Sequence, residues 1–276
     1  MTNIAIIIPV YEGNINTITK YLPDALNSVE SNRGFYKEGK LETFIIYDTD
    51  KTKAAIKDAI PDISKNSLVK NTTGEYDFCS QINFGAKYAQ EHGYEWFSIL
   101  EYDDLYNDRW FSMWYPYYKA HEDVSVFLPL NVQTVESRDI AQYCNEAAWA
   151  KDFSEELGFI DYDALQEYSA FNLTGGIFNV KDFLDLGGLK HNIKVAFNYE
   201  FMLRATNKGF KIFVVPKEGY DHLMNREEGL SCLYAQEMDA NDVETWFRIA
   251  KREYAYVQER EIDFSRATES ETDVLE

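Results

Sequence analysis

Apolar runs of strand length alternate with segments of helical periodicity along most of the chain. Residues 4–10 are apolar on both alternating faces, which is typical of a strand buried on both sides of a parallel sheet. The predicted strands are residues 4–10, 43–47, 68–70, 96–100, 124–130, 172–180 and 211–216, and the predicted helices are residues 15–31, 52–60, 76–92, 107–119, 181–186, 198–208 and 238–260. This alternation predicts an α/β fold with a Rossmann-like, mostly parallel sheet flanked by helices.

Two parts of the chain depart from this alternation. Residues 135–166 are polar and aromatic without a clean period, which favours an insertion over a cleft. Near the end, a charged amphipathic helix is expected to dock on the main body. The predicted organisation is one domain over residues 1–235, with halves of 1–125 and 126–235, a C-terminal helical extension over 236–264 and an acidic tail over 265–276.

The composition is that of a globular protein with a strong negative charge. The 276 residues are 45% hydrophobic and 16% aromatic, so the chain can bury a sizeable core. Its 47 acidic side chains exceed the 27 basic ones, and the formal net charge is −20. Because such a charge repels phosphate backbones, it argues against nucleic acid as a partner.

Cysteine spacing and hydropathy exclude further classes of protein. Cys79, Cys144 and Cys232 are far apart and form no CxxC pair, so neither a zinc site nor a disulfide framework is indicated. The longest apolar runs are too short to cross a bilayer, and the first three residues lack the basic charge of a signal peptide. We expect a cytoplasmic protein without membrane insertion.

The densest acidic cluster of the first half follows the strong predicted strand at residues 96–100. It consists of Glu101, Tyr102, Asp103 and Asp104 in succession. Ligands of open α/β sheets bind at the carboxyl ends of the strands, so this position favours a functional site. The alternative is structural, because acidic residues commonly cap a following helix, here the helix predicted from residue 107.

Four segments form a series along the chain. They are the opening strand and turn at residues 6–11, the helix, strand and acidic series at 83–104, the strand and Gly-Gly turn at 174–189, and the late helix and strand at 200–212. In this order they resemble the family 2-type nucleotide-sugar glycosyltransferases with a GT-A fold. The resemblance covers roughly residues 4–232. It implies a GT-A fold whose first half binds the nucleotide sugar and whose second half binds the acceptor.

For the nucleotide, the resemblance implies contacts from the loops after the first two strands. Pro9 and Tyr11 lie where the base is held, and Glu12 follows them at a position that could touch the ribose or base. Asp48 and Asp50 follow the second strand, where the family binds base and ribose with a carboxylate, and Asp48 is preferred. The alternative for Asp48 is an aspartate that forms a turn.

For the metal, the resemblance implies Mn²⁺ or Mg²⁺ bound by a DxD-like motif. Asp103 fills its second acidic position, and Glu101 replaces the usual first aspartate, so Glu101 could bind the ion or a ribose hydroxyl. Asp104 could bind the ion or cap a helix. His222 lies where similar enzymes often place a metal-binding histidine, although a lone histidine is more often structural.

Two further residues complete the expected donor site. Tyr102 lies inside the DxD-like motif and is expected beside the nucleotide. Arg226 follows His222 and is expected to clamp the diphosphate, because guanidinium geometry suits phosphate. The ordinary alternative is a surface arginine.

The acceptor side departs from the family pattern. Phe197 and Asn198 stand where the late helix usually carries a Glu-Asp pair, which includes the general base. Glu200 is the nearest carboxylate and is the candidate base, with a helix-dipole partner as its alternative role. Asp185 is the second candidate. The departure also leaves open retention of configuration or loss of catalysis.

We therefore expect a metal-dependent glycosyltransferase that uses a nucleoside-diphosphate sugar, with UDP- or GDP-sugars favoured and an unknown hydroxyl acceptor. The alternatives are a catalytically inert sugar- or nucleotide-binding relative and a nucleotidyltransferase. The latter normally has a Gly-rich, basic first loop, which residues 11–14 lack. The aromatic residues within 143–168 are interpreted either as an acceptor surface or as packing beneath an insertion.

Overall fold

One curled sheet runs through the part of the chain that the computed structural model describes, namely residues 1–135, 137, 139–151, 156–169, 171–191, 193, 195–224, 244–245 and 247–252. The strands are β1 (Ile4–Val10), β2 (Leu41–Tyr47), β3 (Leu68–Lys70), β4 (Trp96–Ile99), β5 (Leu105–Tyr106), β6 (Val124–Thr134), β7 (Ile140–Cys144), β8 (Phe159–Ile160), β9 (Ile177–Asn179) and β10 (Lys211–Leu223). The α-helices are α1 (Ile15–Phe35), α2 (Asp50–Ala59), α3 (Phe78–Glu91), α4 (Trp110–Ala120), α5 (Tyr162–Glu167), α6 (Val180–Asp185) and α7 (Phe197–Asn207).

The strand order confirms the predicted sheet. Along the main path it is β3-β2-β1-β4-β9-β6-β10-β5, with β7 beside β6 and β8 beside β10. Strands β1 to β4 are mutually parallel, and β6 is parallel to β10. Because β9 is antiparallel to both β4 and β6, these two groups of strands run in the same direction. Their carboxyl ends therefore share one edge of the sheet.

Both faces of the sheet are covered, which explains why the first strand is apolar on both sides. Ile4, Ile6 and Ile8 pack in a cluster with residues of α1 and α4. Ala5 and Ile7 belong to the opposite cluster, which contains residues of α3, α6 and α7. The three-layer arrangement follows directly from the alternation of strands and helices.

Three strands differ from their predicted bounds by more than two residues, and one of them is β6, which continues to Thr134. β10 continues past Pro216 to Leu223, because register irregularities against β6 between Val214 and Glu218 accommodate a residue that cannot donate to the ladder. In contrast, β9 is limited to Ile177–Asn179. The chain before it bends at Gly175, whose φ of 76° favours glycine.

The C-terminal extension docks on the domain as far as it is described. Residues 244–245 and 247–252 are helical, Ala250 is buried, and the Phe247 ring lies 5.6 Å from the Tyr199 ring of α7. The rest of the predicted 238–260 helix and the 265–276 tail lie outside the described residues. Within the described part of the chain, no helix combines the length and apolar character needed to cross a bilayer.

Close packing of α3 on the sheet gives a stability prediction at Gly85. A methyl group added there would lie 2.6 Å from Cγ2 of Ile7 and 3.2 Å from Cγ1 of Ile46. We expect Gly85→Ala to lower the free energy of unfolding by about 1–3 kcal/mol through overpacking, although alanine favours helix by about 1 kcal/mol.

Gly34→Ala in α1 is the matched control, because an added methyl there meets no heavy atom within 4 Å. We expect it to leave the free energy of unfolding unchanged or to raise it by up to about 1 kcal/mol. Urea unfolding measures both variants. Equal effects of the two substitutions would show that the contact between α3 and the sheet is not tight.

Candidate metal centre

The acidic loop after β4 crosses the carboxyl edge of the sheet. β4 ends at Ile99, and β5 pairs antiparallel with β10, with Tyr106 opposite Tyr220 and Leu105 opposite Asp221. Between the two strands the chain turns back, with the N–H of Asp104 donating to the carbonyl of Glu101 at 3.2 Å. This path brings Glu101 and Asp104 beside the carboxyl end of β10.

Asp104 joins the acidic loop to β10 through both carboxylate oxygens. The side chain is fully buried. Its Oδ2 lies 2.7 Å from Nδ1 of His222, and its Oδ1 accepts a hydrogen bond of 2.8 Å from the backbone N–H of Leu223. The N-cap of α4 is Arg109, so the interpretation of Asp104 as a helix cap is wrong.

Glu101 is held through its backbone by a residue that sequence reasoning missed. Its N–H donates a hydrogen bond of 3.0 Å to the hydroxyl oxygen of Tyr220, which is fully buried. Gly175 fits against the same ring, because a Cβ there would come within 2.5 Å of it. The Gly175-Gly176 segment thus supports Tyr220, and Tyr220 supports the position of Glu101.

Three side chains converge at this point. One ligand atom from each of Glu101, Asp104 and His222 lies within 4.8 Å of the others. An ion bound at about 2.0–2.4 Å from each ligand atom fits such a spacing, and carboxylate oxygens suit Mg²⁺ or Mn²⁺. Asp103, the ligand preferred from sequence, is buried but is not a member of this group, so its role stays a prediction.

The surrounding carboxylates determine the protonation state of His222. Burial alone lowers its pKa, but the carboxylates of Asp104, Glu101 and Asp103 raise it from 6.5 to about 10. The imidazole is therefore protonated near neutral pH when no metal is bound. A metal ion that binds Nδ1 or Nε2 must displace that proton, because only the neutral ring offers a lone pair.

On the nucleotide side, Asp48 ties two loops together. Its Oδ2 accepts from the N–H of Glu12 at 2.8 Å, and its Oδ1 accepts from the N–H of Thr49 at 2.7 Å and from the hydroxyl of Thr52 at 2.5 Å. These bonds are those of a turn-forming aspartate. The Glu12 side chain is half exposed and pairs with Lys51 at 2.9 Å.

The other residues expected to contact the nucleotide lie at or just after the ends of β1, β2 and β4. Pro9 is buried within β1, and Asp50 is exposed in an ion pair with Lys70. The Tyr102 hydroxyl lies 2.8 Å from that of Thr17. Burial raises the pKa of Tyr11, and the carboxylates of Glu101 and Asp103 raise it further.

The late helix uses Glu200 in a buried ion-pair network. Its two oxygens accept from Nε and Nη2 of Arg204 at 2.8 and 3.0 Å, and Lys190 lies 2.9 Å from Oε1. Arg204 also donates to the carbonyls of Leu186 and Gly188. This geometry favours a structural role for Glu200, and its role as a base stays a prediction.

The other acceptor-side residues, as far as the structure describes them, are not members of the group of Glu101, Asp104 and His222. Asp185 is exposed at the end of α6 and pairs with Lys181. Phe197 and Asn198 open α7. Arg226 lies outside the described residues.

Aromatic residues of the 143–168 stretch pack into the domain. Nε1 of Trp149 donates to the carbonyl of Val214 at 3.0 Å, and the rings of Trp149 and Phe159 both contact Phe213. Tyr168 packs edge-on against Phe171. The packing interpretation therefore holds for these residues, while Phe153 lies outside the described residues.

Comparison with known proteins identifies the fold. No family model and no curated protein matches the sequence. Among solved structures, S. aureus TarS 1-349 in complex with UDP-GlcNAc is similar with a TM-score of 0.61 and 18% identity, over 91% of this chain and 65% of that one. S. aureus TarS is similar with a TM-score of 0.57 and 18% identity, over 96% of this chain and 45% of that one.

A third match is S. aureus TarS 1-349 in complex with UDP, with a TM-score of 0.55 and 19% identity, over 92% of this chain and 71% of that one. TarS is a GT-A glycosyltransferase. The chain thus spans about two thirds of the shorter TarS structures and less than half of the longer one. At this level of identity the likeness shows the fold, and the fold is of the GT-A type.

The raised pKa of His222 gives a pH prediction. A pKa that is higher in the folded state contributes stability that is fully present below pH 6.5 and is lost as the pH rises toward about 10. We expect His222→Gln to be less stable than the parent at pH 6.5, with a difference that shrinks toward pH 10.

Thermal unfolding at a series of pH values, without metal, measures this difference. The exposed His92→Gln variant is the matched control and should follow the parent. A His222→Gln difference that stays constant from pH 6.5 to pH 10 would contradict the ion pair with Asp104.

The buried network around Glu200 predicts a large loss of stability. Glu200→Gln removes the buried carboxylate that pairs with Arg204 and Lys190, so we expect the free energy of unfolding to fall by about 3–5 kcal/mol. Asp185→Asn breaks only an exposed pair, and we expect a change within about 0.5 kcal/mol. Denaturant unfolding of both variants tests this prediction. If Glu200→Gln unfolds with the same free energy as the parent, Glu200 has no structural role.

Proposed function

We propose that this protein is a metal-dependent glycosyltransferase that moves a sugar from a nucleoside-diphosphate sugar to a hydroxyl acceptor. The observation that carries the proposal is the convergence of Glu101, Asp104 and His222 at the carboxyl edge of a GT-A fold. Ligands of open α/β sheets bind at that edge. The carboxylates and the imidazole provide the donor atoms that a divalent ion requires.

The chemistry of the donor explains why acidic residues would surround a negatively charged substrate. Without a cation, the diphosphate would be repelled by Glu101, Asp103 and Asp104. A bound Mn²⁺ or Mg²⁺ neutralises the charge that develops on the departing diphosphate. Asp104 would hold the ion with His222 and Glu101. Asp103, which adds negative potential at His222, is retained as a further candidate ligand.

The nucleotide is proposed to lie along the edge between the metal centre and β2. Tyr11 directly follows β1 at this edge and would stack on the base, beside Tyr102. Asp48 fixes the loop that carries Glu12, and Glu12 would reach the ribose or base. UDP-GlcNAc and UDP are bound in the similar TarS structures, which supports a uridine nucleotide and a hexosyl donor. Asp50 would contact solvent-facing parts of the nucleotide, and Arg226 would contact the diphosphate.

The late helix favours a second candidate function, a catalytically inert nucleotide- or sugar-binding protein. Asn198 occupies the position of the usual base, and Glu200 is held by Arg204 and Lys190. Of the two candidate bases, Glu200 and Asp185, only Asp185 is exposed. Its ion pair with Lys181 could therefore be broken at low cost to free the carboxylate. Release of UDP from UDP-sugars with Mn²⁺ separates the candidates, since an inert protein binds without turnover.

Metal-dependent nucleotide binding is the direct test of the proposal. We expect UDP to raise the unfolding temperature with Mn²⁺ present, and to do so much less with a chelator. Asp104→Asn should lower the affinity for UDP with Mn²⁺ by about 10–100-fold, because it removes a ligand and its contact with His222. Asp103→Asn tests the ligand preferred from sequence, and the exposed Asp58→Asn in α2 is the matched control.

Each result has a clear meaning. If only Asp104→Asn loses UDP binding, the ion is assigned to the group of Glu101, Asp104 and His222. If only Asp103→Asn loses it, the ion is assigned to the DxD-like motif that ends at Asp103. If neither substitution changes UDP binding with Mn²⁺, the metal-dependent function is wrong.

A further inference from the structure

A second concave site lies on the outer face of α3, separate from the metal centre. It is a groove of about 510 Å³ between the loop after β3, which contributes Thr72, Thr73 and Glu75, and the segment after α6, which contributes His191. Its volume falls within the range of ordinary small-molecule sites. Nothing in the proposed donor site uses these residues.

The floor of the groove is one continuous face of α3. Ser80, Phe84, Lys87 and Glu91 line it, at positions i, i+4, i+7 and i+11. This spacing places them in one row along the helix, and at 1.5 Å per residue the row is roughly 16 Å long. Phe84 is half-buried, so part of its ring faces the groove. The site is thus elongated and carries an aromatic surface between polar groups.

Both walls are fixed by side-chain amides. On one side, the buried Asn71 donates to the carbonyl of Glu75 at 2.9 Å and accepts from the N–H of Thr73 at 2.9 Å. On the other side, Asn83 of α3 donates to the carbonyl of Leu189 at 2.7 Å and accepts from its N–H at 2.8 Å. A groove with fixed walls binds without the entropic cost of ordering loops.

The charges of the groove select against a polyanion. Lys87 is exposed and, among the described residues, forms no ion pair. Glu91 contributes one carboxylate, and Glu75 contributes another whose Oε2 lies 3.9 Å from Nε2 of His191 on the opposite wall. The net charge of −20 adds a repulsive field around an anionic ligand. The hydroxyls of Thr72, Thr73 and Ser80 both donate and accept hydrogen bonds. This mixture suits a ligand that is rich in hydroxyls and has apolar faces.

We propose that this groove binds a neutral oligosaccharide, with sugar faces on Phe84 and hydroxyls bonded to Lys87 and Glu91. The proposal rests on the proposed function and assigns its hydroxyl acceptor, or its product, to the neutral carbohydrates. The loop after β3 lies at the sheet edge that carries the metal centre, three strands from the end of β4, which is roughly 14 Å at the usual strand spacing. The groove would therefore hold a part of the acceptor or product away from the reacting sugar.

Direct binding tests the groove without requiring turnover. The probes are three neutral tetrasaccharides, maltotetraose, cellotetraose and chitotetraose, with a heparin-derived tetrasaccharide as the polyanionic comparison. Calorimetry measures affinity, and hydrogen exchange locates contact. We expect at least one neutral probe to protect residues 71–77 and 80–91. Lys87→Ala and Glu91→Ala should each weaken its binding about tenfold, since each removes a charge-assisted hydrogen bond.

Gln90→Ala is the matched control, because Gln90 is exposed on α3 but does not line the groove. It should bind like the parent. The proposal is overturned if no neutral probe binds, if the charged tetrasaccharide binds more tightly, or if protection and affinity do not depend on Lys87 and Glu91.

Failure here is distinguishable from failure of the proposed function. If the protein binds UDP with Mn²⁺ but none of the neutral probes, the metal centre is supported and the groove proposal is wrong. If it binds a neutral probe through Lys87 and Glu91 but no nucleotide, the groove proposal is supported and the proposed transferase function is wrong.

Discussion

The buried carboxylate of Asp104 is the interaction on which the candidate site depends. A buried anion is costly unless it is paired and hydrogen-bonded, and Asp104 meets this requirement only at the end of β10. The acidic loop reaches this point through a turn, in which the N–H of Asp104 donates to the carbonyl of Glu101 at 3.2 Å. The short pairing of β5 with β10 anchors its far end. Glu101 and His222 meet because of this path.

The same arrangement places several carboxylates, and therefore a negative electrostatic potential, where a cation would bind. Glu101, Asp103 and Asp104 together hold His222 in its protonated form near neutral pH. The imidazolium is then the counter-ion of the site. A metal ion bound there would have to replace its proton, so metal binding and proton release would be coupled.

Much of the fold could be predicted from the sequence because its strands are buried on both faces. The run at residues 4–10 and the βα alternation predict the parallel sheet correctly. The acidic cluster after residue 100 lies at the predicted edge. The extension of β10 past Pro216 was not predictable, because the ladder irregularities that accommodate the proline depend on the partner strand β6.

The details of the site depended on contacts that linear spacing does not encode. The choice between Asp103 and Asp104 turns on which carboxylate faces β10, and this follows from the two-residue strand β5. Tyr220 carries no motif that would mark it as the support of Glu101. Likewise, Glu200 reads as a candidate base on its helix, but Arg204 one turn later and Lys190 on another segment complete a buried network.

Anomalous diffraction from a crystal grown with UDP and Mn²⁺ tests the central claim most directly. The account predicts one manganese peak within bonding distance of the Glu101 and Asp104 carboxylates and of His222, in contact with the diphosphate. UDP bound without manganese, or with manganese held elsewhere, would contradict it.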